Sequence, residues 1–348
     1  MDLYILDWDL SSLKIHNDIL SNLLFTVLAA TLVYIIISMY RLGVSSNSLY
    51  KRKNLPFTIG VAGDSGAGKT TFIDVLVPIL GEKNLLFIEG DGDHKWERGE
   101  KYWEKYTHLN PKANFLYRQA HDLQQLRQGG TVKRVEYDHD TGKFTEARKI
   151  RPRKYIMLCG LHSLYLPQTR KNLDLKIYMD IDETLRRYWK IQRDIVHRGY
   201  SKKEILNQIE DRVSDALKYI YPQKKYADMI VQYYDKTLFD CMEEGHKPRI
   251  SVRISISAAI DIEPMISTLA GYGVNVIYDY SEDLQNQIID LDADELQHVK
   301  IPIEEIADRI IPQLEEITRE SFTNRNGVDD ILNLFTLVLI SGKMKGEI

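Results

Sequence analysis

Residues 63–70 read GDSGAGKT and match the phosphate-binding pattern G-x-x-x-x-G-K-[ST]. An apolar run, FTIGVA at 57–62, precedes the motif, and a helical pattern, TFIDVLVPIL at 71–80, follows it. Such a match is informative when it lies between a strand and a helix start, because its glycines let successive backbone N–H groups turn inward around an anion. The alternative is a glycine-rich turn without a ligand, which this context disfavours. The sequence therefore predicts a nucleoside-triphosphate site.

The motif also assigns roles to its residues. Lys69 is expected to reach the β- and γ-phosphates, and the Thr70 hydroxyl is expected to ligate Mg²⁺. The N-terminal end of the following helix adds favourable charge. ATP and Mg²⁺ are thus the expected cofactors. The residues predicted to bind the nucleotide are Gly63, Asp64, Ser65, Gly66, Ala67, Gly68, Lys69, Thr70 and Thr71.

Short apolar runs alternate with helical patterns along the middle of the chain. The predicted strands are 57–62, 85–89, 154–159, 175–180 and 229–233, with helices over 114–127 and 184–197 between them. These strands are nearly continuous apolar runs, as expected for a parallel sheet that is covered on both faces. We predict an α/β fold, a doubly wound parallel sheet of the P-loop NTPase type.

The pattern changes near residue 247. Residues 249–256 alternate strictly between apolar and polar, and helical or strand-like runs follow at 262–270, 274–280, 286–291, 302–317 and 328–341. A length of 348 residues fits about two domains. We therefore expect an anchor and linker over 1–50, a P-loop domain over 51–246 and a small α+β domain over 247–348. The apolar run 331–340 is too short to span a membrane and is expected to pack in the core.

Composition excludes several classes of protein. A hydrophobic fraction of 44% with 28% charged residues is ordinary for a globular protein. The net charge of −4 indicates no nucleic-acid partner. Only Cys159 and Cys241 occur, which suits a reducing compartment and excludes a disulfide framework. The oligomeric state stays open, with a homo-oligomer as one option.

Residues 23–40 (LLFTVLAATLVYIIISMY) are uncharged, and with residues 19–22 they are long enough to cross a bilayer. A signal peptide would need a basic start, but the first 18 residues contain four aspartates and one lysine. A buried core helix is the other alternative. Arg41 and Lys51–Lys53 follow the run, so the positive-inside rule places the C-terminal side in the cytoplasm. We predict a single-pass anchor in the cell membrane through residues 19–40.

Polar residues follow the second predicted strand. In a doubly wound sheet, ligands bind at the carboxyl ends of the strands. Asp91 is therefore the candidate base for a hydroxyl acceptor, and a candidate metal ligand. His94 and Arg98 follow at helical spacing and suit an acceptor that carries phosphate or several hydroxyls. A helix cap or a solvated helix face is the alternative for these three residues.

Several stretches together resemble the phosphoribulokinase/uridine kinase family, and are most similar to its phosphoribulokinase side. They are VAGDSGAGKTTF (61–72), IEGDGDHKWER (88–98), THLNPKAN (107–114), EYDHDTG (136–142), GLH (160–162), WKIQRDIVHRG (189–199) and YIYPQKKYAD (219–228). They cover most of 57–234 in family order. The resemblance implies that Asp91 is the catalytic base and that His94 and Arg98 bind the acceptor. The region after 249 is similar to the C-terminal extension of bacterial relatives, which implies no defined chemistry.

The segment 189–199 supplies further candidates. Lys190, Arg193 and Arg198 place three cations along a helix end, which suits the charge on a transferring phosphoryl group. The family resemblance places these residues and Asp194 at the active site; we assign Arg193 and Asp194 to catalysis, and Lys190 and Arg198 to acceptor binding. A salt-bridged surface helix is the alternative. Tyr137 and His139 lie in a candidate acceptor loop, although a structural role suits them equally.

Cys159 departs from the family pattern, which has a glutamate before Gly-Leu-His. A neutral thiol lacks that charge and is too soft a ligand for Mg²⁺. Asp91, Asp93 or Asp194 could compensate.

Three functions follow from the sequence. The first is an ATP- and Mg²⁺-dependent kinase that acts on a hydroxyl of a sugar phosphate, sugar or nucleoside, in a membrane-associated glycan pathway. The second is an ATP-binding regulatory pseudokinase, and the third is an ATPase that moves or assembles a partner.

Overall fold

The computed structural model describes residues 55–103, 105–198, 201–237, 248–296, 299–320, 322 and 327–346, and also residues 26, 27, 30, 31, 33 and 34. Contacts divide the chain into two units, Met1–Asn54 and Leu55–Ile348. In the first unit the six described residues are helical and exposed. The rest of the predicted membrane segment 19–40 lies outside the described residues. Within the described part of the chain, no helix has the length and apolar character needed to cross a bilayer.

The strands are numbered in chain order. They are β1 (Phe57–Gly63), β2 (Leu85–Glu89), β3 (Val132–Arg134), β4 (Tyr137–Asp138), β5 (Lys143–Phe144), β6 (Arg148–Ile150), β7 (Tyr155–Gly160), β8 (Leu175–Ile181), β9 (Met229–Asp235), β10 (Ile250–Ser257), β11 (Ile277–Tyr280) and β12 (Asn286–Asp292). The α-helices are α1 (Lys69–Leu80), α2 (Leu116–Arg127), α3 (Pro167–Lys171), α4 (Glu183–Arg198), α5 (Lys202–Asp215), α6 (Glu263–Gly271), α7 (Ala293–Leu296), α8 (Ile303–Ile310) and α9 (Gly327–Lys345).

One eight-stranded sheet organises the second unit, in the order β11-β12-β10-β9-β8-β1-β7-β2. The five strands from β9 to β2 are parallel, and they are the five runs that the sequence predicts. The residues of β1 and β7 are buried throughout, because helices cover both faces of a parallel sheet and leave no solvated side for polar residues. The predicted α/β fold with a parallel sheet is confirmed.

The separate C-terminal domain predicted from residue 247 is not what the structure shows. Strand β10 pairs antiparallel with β9, with Ile254 opposite Val231, and β12 and β11 extend the same sheet. Helix α9 contacts α1, and the Tyr155 hydroxyl donates to the Ile317 carbonyl at 2.7 Å. An alternating pattern predicts a half-buried strand but carries no information about which sheet the strand joins. The run 331–340 is buried except for Val338, which is partly exposed, as expected for core packing.

Candidate active site

Three loops meet at one edge of the sheet. Strands β1, β7 and β2 are parallel neighbours, so the segments that follow them emerge side by side: the phosphate-binding motif, Gly160–His162 and Gly90–His94. Together with the hairpin β4–β5 and residues of α4 and α5, these segments line a cavity of about 980 Å³. The crevice beyond the carboxyl ends of the strands is where ligands bind in open α/β sheets.

The motif adopts the backbone that anion binding requires. Gly66 and Gly68 have φ values of 87° and 82°, a region that residues with a Cβ rarely enter. A Cβ on Gly68 would also lie 3.0 Å from the ring of Tyr233. Lys69 Nζ donates to the carbonyl oxygens of Gly63 (2.9 Å) and Asp64 (2.8 Å), across the turn of the loop.

The other residues of the motif divide into two groups. Ser65, Thr70 and Thr71 line the cavity, where they can meet a nucleotide. Ala67 and Asp64 are buried. One Asp64 oxygen accepts from the Ser65 N–H at 2.6 Å, and the other lies 3.3 Å from Arg186 Nη1. Asp64 and Arg186 therefore support the phosphate-binding loop from its buried side. The sequence analysis missed Arg186, whose place in an ordinary helical pattern gave no signal.

Asp91 lies in a single 3₁₀ turn, Gly90–Asp93, directly after β2. One carboxylate oxygen is 3.1 Å from His139 Nε2, and the other is 3.6 Å from His94 Nε2. Burial alone would raise the pKa of Asp91. The hydrogen bond from His139 and the nearby charge of His94 outweigh burial, so the pKa is lowered well below its ordinary value. Asp91 is thus an ionised carboxylate inside the cavity, as a base must be.

Glu89, which the sequence analysis missed, stands beside Cys159. The two residues are direct partners on the neighbouring strands β2 and β7, so their side chains project from the same face of the sheet. Burial raises the pKa of the Cys159 thiol to about 12, which keeps it neutral. Glu89 places a carboxylate next to the position where the family pattern has one. Its position at the end of a predicted strand, directly before the site, was the available signal.

Glu89, Asp91 and His139 form a candidate site for a divalent cation. Ligand atoms of Glu89, Asp91 and His139 lie within 4.8 Å of one another. Burial, and then repulsion from Asp91, raises the pKa of Glu89, and a cation between the two carboxylates would relieve that repulsion. The Thr70 hydroxyl lines the same cavity. Oxygen donors of this kind are the ones that Mg²⁺ prefers, so the residues fit the expected metal.

The hairpin β4–β5, which contains the predicted acceptor loop, lines another part of the cavity. Tyr137 is buried, and its ring stacks on Trp103 with the centroids 5.8 Å apart. Arg98 is exposed and donates to the carbonyl oxygens of His139 (2.7 Å) and Asp140 (3.4 Å). It lines the cavity and also fastens the hairpin that holds His139 against Asp91.

The cations of α4 divide between the cavity and the protein interior. Lys190 and Asp194 are buried, with Lys190 Nζ 2.7 Å from an Asp194 oxygen. The other Asp194 oxygen lies 2.8 Å from Arg193 Nε. Arg193 lines the cavity, and its Nη2 donates to the Ser65 hydroxyl at 3.4 Å. Lys190 and Asp194 therefore support Arg193 beside the phosphate loop. The side chain of Arg198 lies outside the described residues.

Residues 58–239 match the model of the "Phosphoribulokinase / Uridine kinase family". The chain is 37% identical over 185 residues to the phosphoribulokinase of Synechocystis sp., which covers 53% of this chain and 56% of that protein. It is 30% identical over 218 residues to the uridine kinase of Ligilactobacillus salivarius, covering 61% of this chain and 96% of that protein. The chain thus spans about half the length of the phosphoribulokinases that it matches.

The likeness extends to a solved structure. The phosphoribulokinase of Rhodobacter spheroides superposes with a TM-score of 0.57 at 20% identity, covering 78% of this chain and all of that one. At that identity the likeness shows a common fold. Its coverage reaches well beyond the 182 residues of the family match, which agrees with a single sheet that continues past residue 247.

Proposed function

The chain belongs to the phosphoribulokinase/uridine kinase family, and from this premise we propose that it is an ATP-dependent kinase that phosphorylates a hydroxyl of a small acceptor. One observation carries the proposal: an ionised carboxylate, Asp91, lies in the same cavity as the phosphate-binding loop. A kinase of this type needs a nucleotide held at one side and a base at the other, with room for the acceptor between them.

The proposed reaction is a single in-line displacement. The acceptor hydroxyl oxygen forms a bond to the γ-phosphorus, the bond from that phosphorus to the β–γ bridging oxygen breaks, and ADP leaves. Asp91 accepts the hydroxyl proton. Lys69 and Arg193 stabilise the negative charge on the transferring group, since both line the cavity beside the loop. His139 holds the Asp91 carboxylate in place through the 3.1 Å contact.

We also propose that Mg²⁺ accompanies the nucleotide. Thr70, Glu89 and Asp91 would hold it, because they supply the oxygen donors at this edge of the sheet. When bound, Mg²⁺ neutralises phosphate charge and orients the phosphates. The chain itself contributes two carboxylates, that of Glu89 at the end of β2 and that of Asp91 in the turn that follows.

Replacing Glu89 by glutamine is expected to raise the Mg²⁺ concentration for half-maximal activity about tenfold, because one carboxylate is lost. A Mg²⁺ titration of ADP release at saturating ATP measures this change. Glu82→Gln, at the rim of the same cavity, is the matched control and should leave the titration unchanged.

A second variant sharpens the Glu89 test. Adding Cys159→Glu to Glu89→Gln should recover part of the Mg²⁺ affinity, since residue 159 projects from the same face of the sheet as residue 89. An unchanged Mg²⁺ titration for Glu89→Gln alone would exclude Glu89 from the metal site.

The proposed acceptor is a sugar phosphate, a sugar or a nucleoside. The curated relatives are named for phosphorylated ribulose and for uridine. Three guanidinium groups line the cavity, those of Arg98, Arg193 and Arg212, and guanidinium forks bind phosphate well. We favour a phosphorylated sugar on this ground.

The proposed activity is tested by ADP release from ATP and Mg²⁺ with a panel of pentose phosphates, sugars, polyols and nucleosides. Release that depends on one acceptor class establishes the kinase and identifies its substrate. Tight ATP binding with no acceptor-dependent release across the panel would support the pseudokinase alternative instead. The pseudokinase alternative is motivated by Cys159 and by the extra C-terminal region. Glu89 lies next to Cys159 on the neighbouring strand and supplies a carboxylate there.

We further propose that the N-terminal segment attaches the chain to the cell membrane, with the kinase on the cytoplasmic side. The uncharged run 23–40 and the basic residues that follow it support this attachment. The full chain should sediment with membranes after an alkaline carbonate wash, whereas a chain that begins at Lys51 should stay in the supernatant. Recovery of both chains in the supernatant would exclude the anchor. Unchanged cell-surface glycans after deletion of 1–50 would argue against a glycan pathway.

A further inference from the structure

The segment that carries His139, residues 132–150, lies outside the eight-stranded sheet. Strands β3 and β6 pair with each other, as do β4 and β5, in two separate two-stranded sheets. Asp91, by contrast, follows directly from β2, at the edge of the main sheet. His139 Nε2 nevertheless lies 3.1 Å from an Asp91 oxygen. Sheet pairing does not set this distance, so contacts between the turn Gly90–Asp93 and the segment 132–150 must set it.

Arg134, the last residue of β3, joins that segment to the turn. Its Nη2 donates to an Asp93 oxygen at 2.6 Å, and its Nη1 donates to an Asp122 oxygen on α2 at 2.9 Å. The side chains of Arg134 and Asp93 are 7% and 1% exposed. A guanidinium keeps its charge in proteins, and its planar fork fixes the direction of both contacts. Arg134 therefore clamps β3 to the turn and to α2 at the same time.

The Asp93 side chain is occupied in holding the turn. Besides Arg134, its carboxylate accepts from Gln119 Nε2 at 2.9 Å and, through the other oxygen, from Arg118 Nη2 at 3.2 Å. Arg118 also donates to the Gly92 carbonyl at 3.2 Å. Neither Asp93 nor Arg134 lines the cavity. These two residues therefore act on the site through the turn that they hold, and not by contact with a ligand.

The backbone makes a second contact at the same place. Gly92 lies between Asp91 and Asp93 in the turn. A Cβ on Gly92 would stand 2.3 Å from the carbonyl oxygen of Val135, which follows Arg134 in the chain. That distance is far below an ordinary van der Waals contact, so only a glycine permits this approach. The turn and the segment thus meet at a buried ion pair and at a close backbone contact beside it.

We propose that Arg134 and Asp93 are positioning residues that hold the turn Gly90–Asp93 against the segment 132–150. Through this contact His139 keeps the Asp91 carboxylate directed at the acceptor hydroxyl. The proposal rests on the proposed kinase function. A base must stay within hydrogen-bond reach of the proton that it accepts, and a displacement of about 1 Å can cost about a hundredfold in rate.

Asp93→Asn tests the ion pair. Both Asp93 oxygens accept from protein donors, so the asparagine must turn its NH₂ group toward a donor in either orientation. With ribulose 5-phosphate and uridine as probe acceptors, we expect kcat for the active one to fall about ten- to a hundredfold. ATP affinity should stay within about threefold, because the phosphate-binding loop is not altered.

Asp122→Asn is the matched control. It makes the same change at the other partner of Arg134 and leaves the contact between Arg134 and Asp93 in place. Its kcat should stay close to that of the wild type. An equal loss of kcat in Asp93→Asn and Asp122→Asn would reduce the network to a structural role and overturn the proposal.

Gly92→Ala separates the turn from Val135 without removing a charge. It should lower kcat as Asp93→Asn does, and it keeps the proposal testable if Asp93→Asn does not fold. A Gly92→Ala chain with the kcat of the wild type would contradict the proposal, because the turn would then tolerate displacement from the segment.

A double-mutant cycle shows whether the loss passes through Asp91. In the Asp91→Asn background, Asp93→Asn or Gly92→Ala should lower the residual kcat by less than about twofold, because the base that the turn positions is already absent. Losses that multiply would mean that the two substitutions act independently of Asp91, against the proposal.

Crystal structures of the variants test the placement of Asp91 without any turnover. In Asp93→Asn and Gly92→Ala, the Asp91 carboxylate should lie beyond hydrogen-bond distance from His139 Nε2, more than about 3.5 Å away. An unchanged distance of 3.1 Å in both variants would overturn the proposal. A wild-type chain that phosphorylates no acceptor, with Asp91 displaced in the variants, would overturn the kinase function alone.

Discussion

Replacing Asp91 by asparagine is expected to lower kcat for the acceptor about 10²- to 10⁴-fold, the usual contribution of a positioned general base. The change keeps the shape of the side chain and removes its negative charge. ATP affinity should stay within about threefold, because Lys69 and the glycines of the loop, which we expect to bind the phosphates, are not altered. Steady-state ADP release and binding of a non-hydrolysable ATP analogue measure the two effects.

The control for this variant is Asp140→Asn. Asp140 is exposed in the hairpin that carries His139, and its side chain does not line the cavity described here. It should be as active as the wild type. If Asp91→Asn retained more than a tenth of the wild-type turnover, Asp91 would not be the base. A variant that lost ATP affinity and turnover together would indicate that Asp91 acts chiefly through the metal.

Replacing Asp194 by asparagine is expected to destabilise the chain by about 3 kcal/mol, because it leaves the Lys190 ammonium buried without a counter-charge. Lys190 Nζ and the Asp194 carboxylate are 2.7 Å apart, with side chains 1% and 0% exposed. Urea unfolding measures this loss of stability: the midpoint concentration of urea should fall while the m-value stays unchanged. Asp211→Asn, on an exposed face of α5, is the control and should change stability by less than about 0.5 kcal/mol.

A second substitution separates stability from catalysis. Adding Lys190→Met to Asp194→Asn removes the uncompensated charge, so stability should recover by more than about 1 kcal/mol. Turnover should not recover, since Arg193 has lost the carboxylate that holds it beside Ser65. Recovery of both would reduce the Lys190–Asp194 pair to a structural role. If Asp194→Asn alone were as stable as the wild type, the two side chains would not form a buried ion pair.

Glu89 shows how tertiary structure can answer a question that the sequence raises. The thiol at Cys159 suggested a missing charge, and Asp91, Asp93 and Asp194 were the carboxylates expected to compensate. Asp93 is buried against Arg134 at 2.6 Å, and Asp194 is bound by Lys190 and Arg193. Strand register places Glu89 directly beside Cys159 instead. Residues 70 positions apart become neighbours only when β2 pairs with β7.

The C-terminal strands show what a local sequence pattern does not determine. The sequence locates β10, β12 and α9 to within a few residues, because the order of apolar and polar side chains reflects periodic burial. The predicted helix 302–317 is longer than α8, which ends at Ile310. The same order does not identify the pairing partner of a strand. The structure places β10 against β9 and so joins residues 250–292 to the sheet that bears the site.

The sequence by itself determined the parallel strands, the nucleotide loop, the candidate base and the family, because each depends on residues that are close together along the chain. The tertiary structure alone decided two matters: that Glu89 is the carboxylate beside Cys159, and that Asp194 is committed to a buried ion pair. Each depends on contacts between separate segments, and only packing sets the distances and hydrogen-bond directions of such contacts.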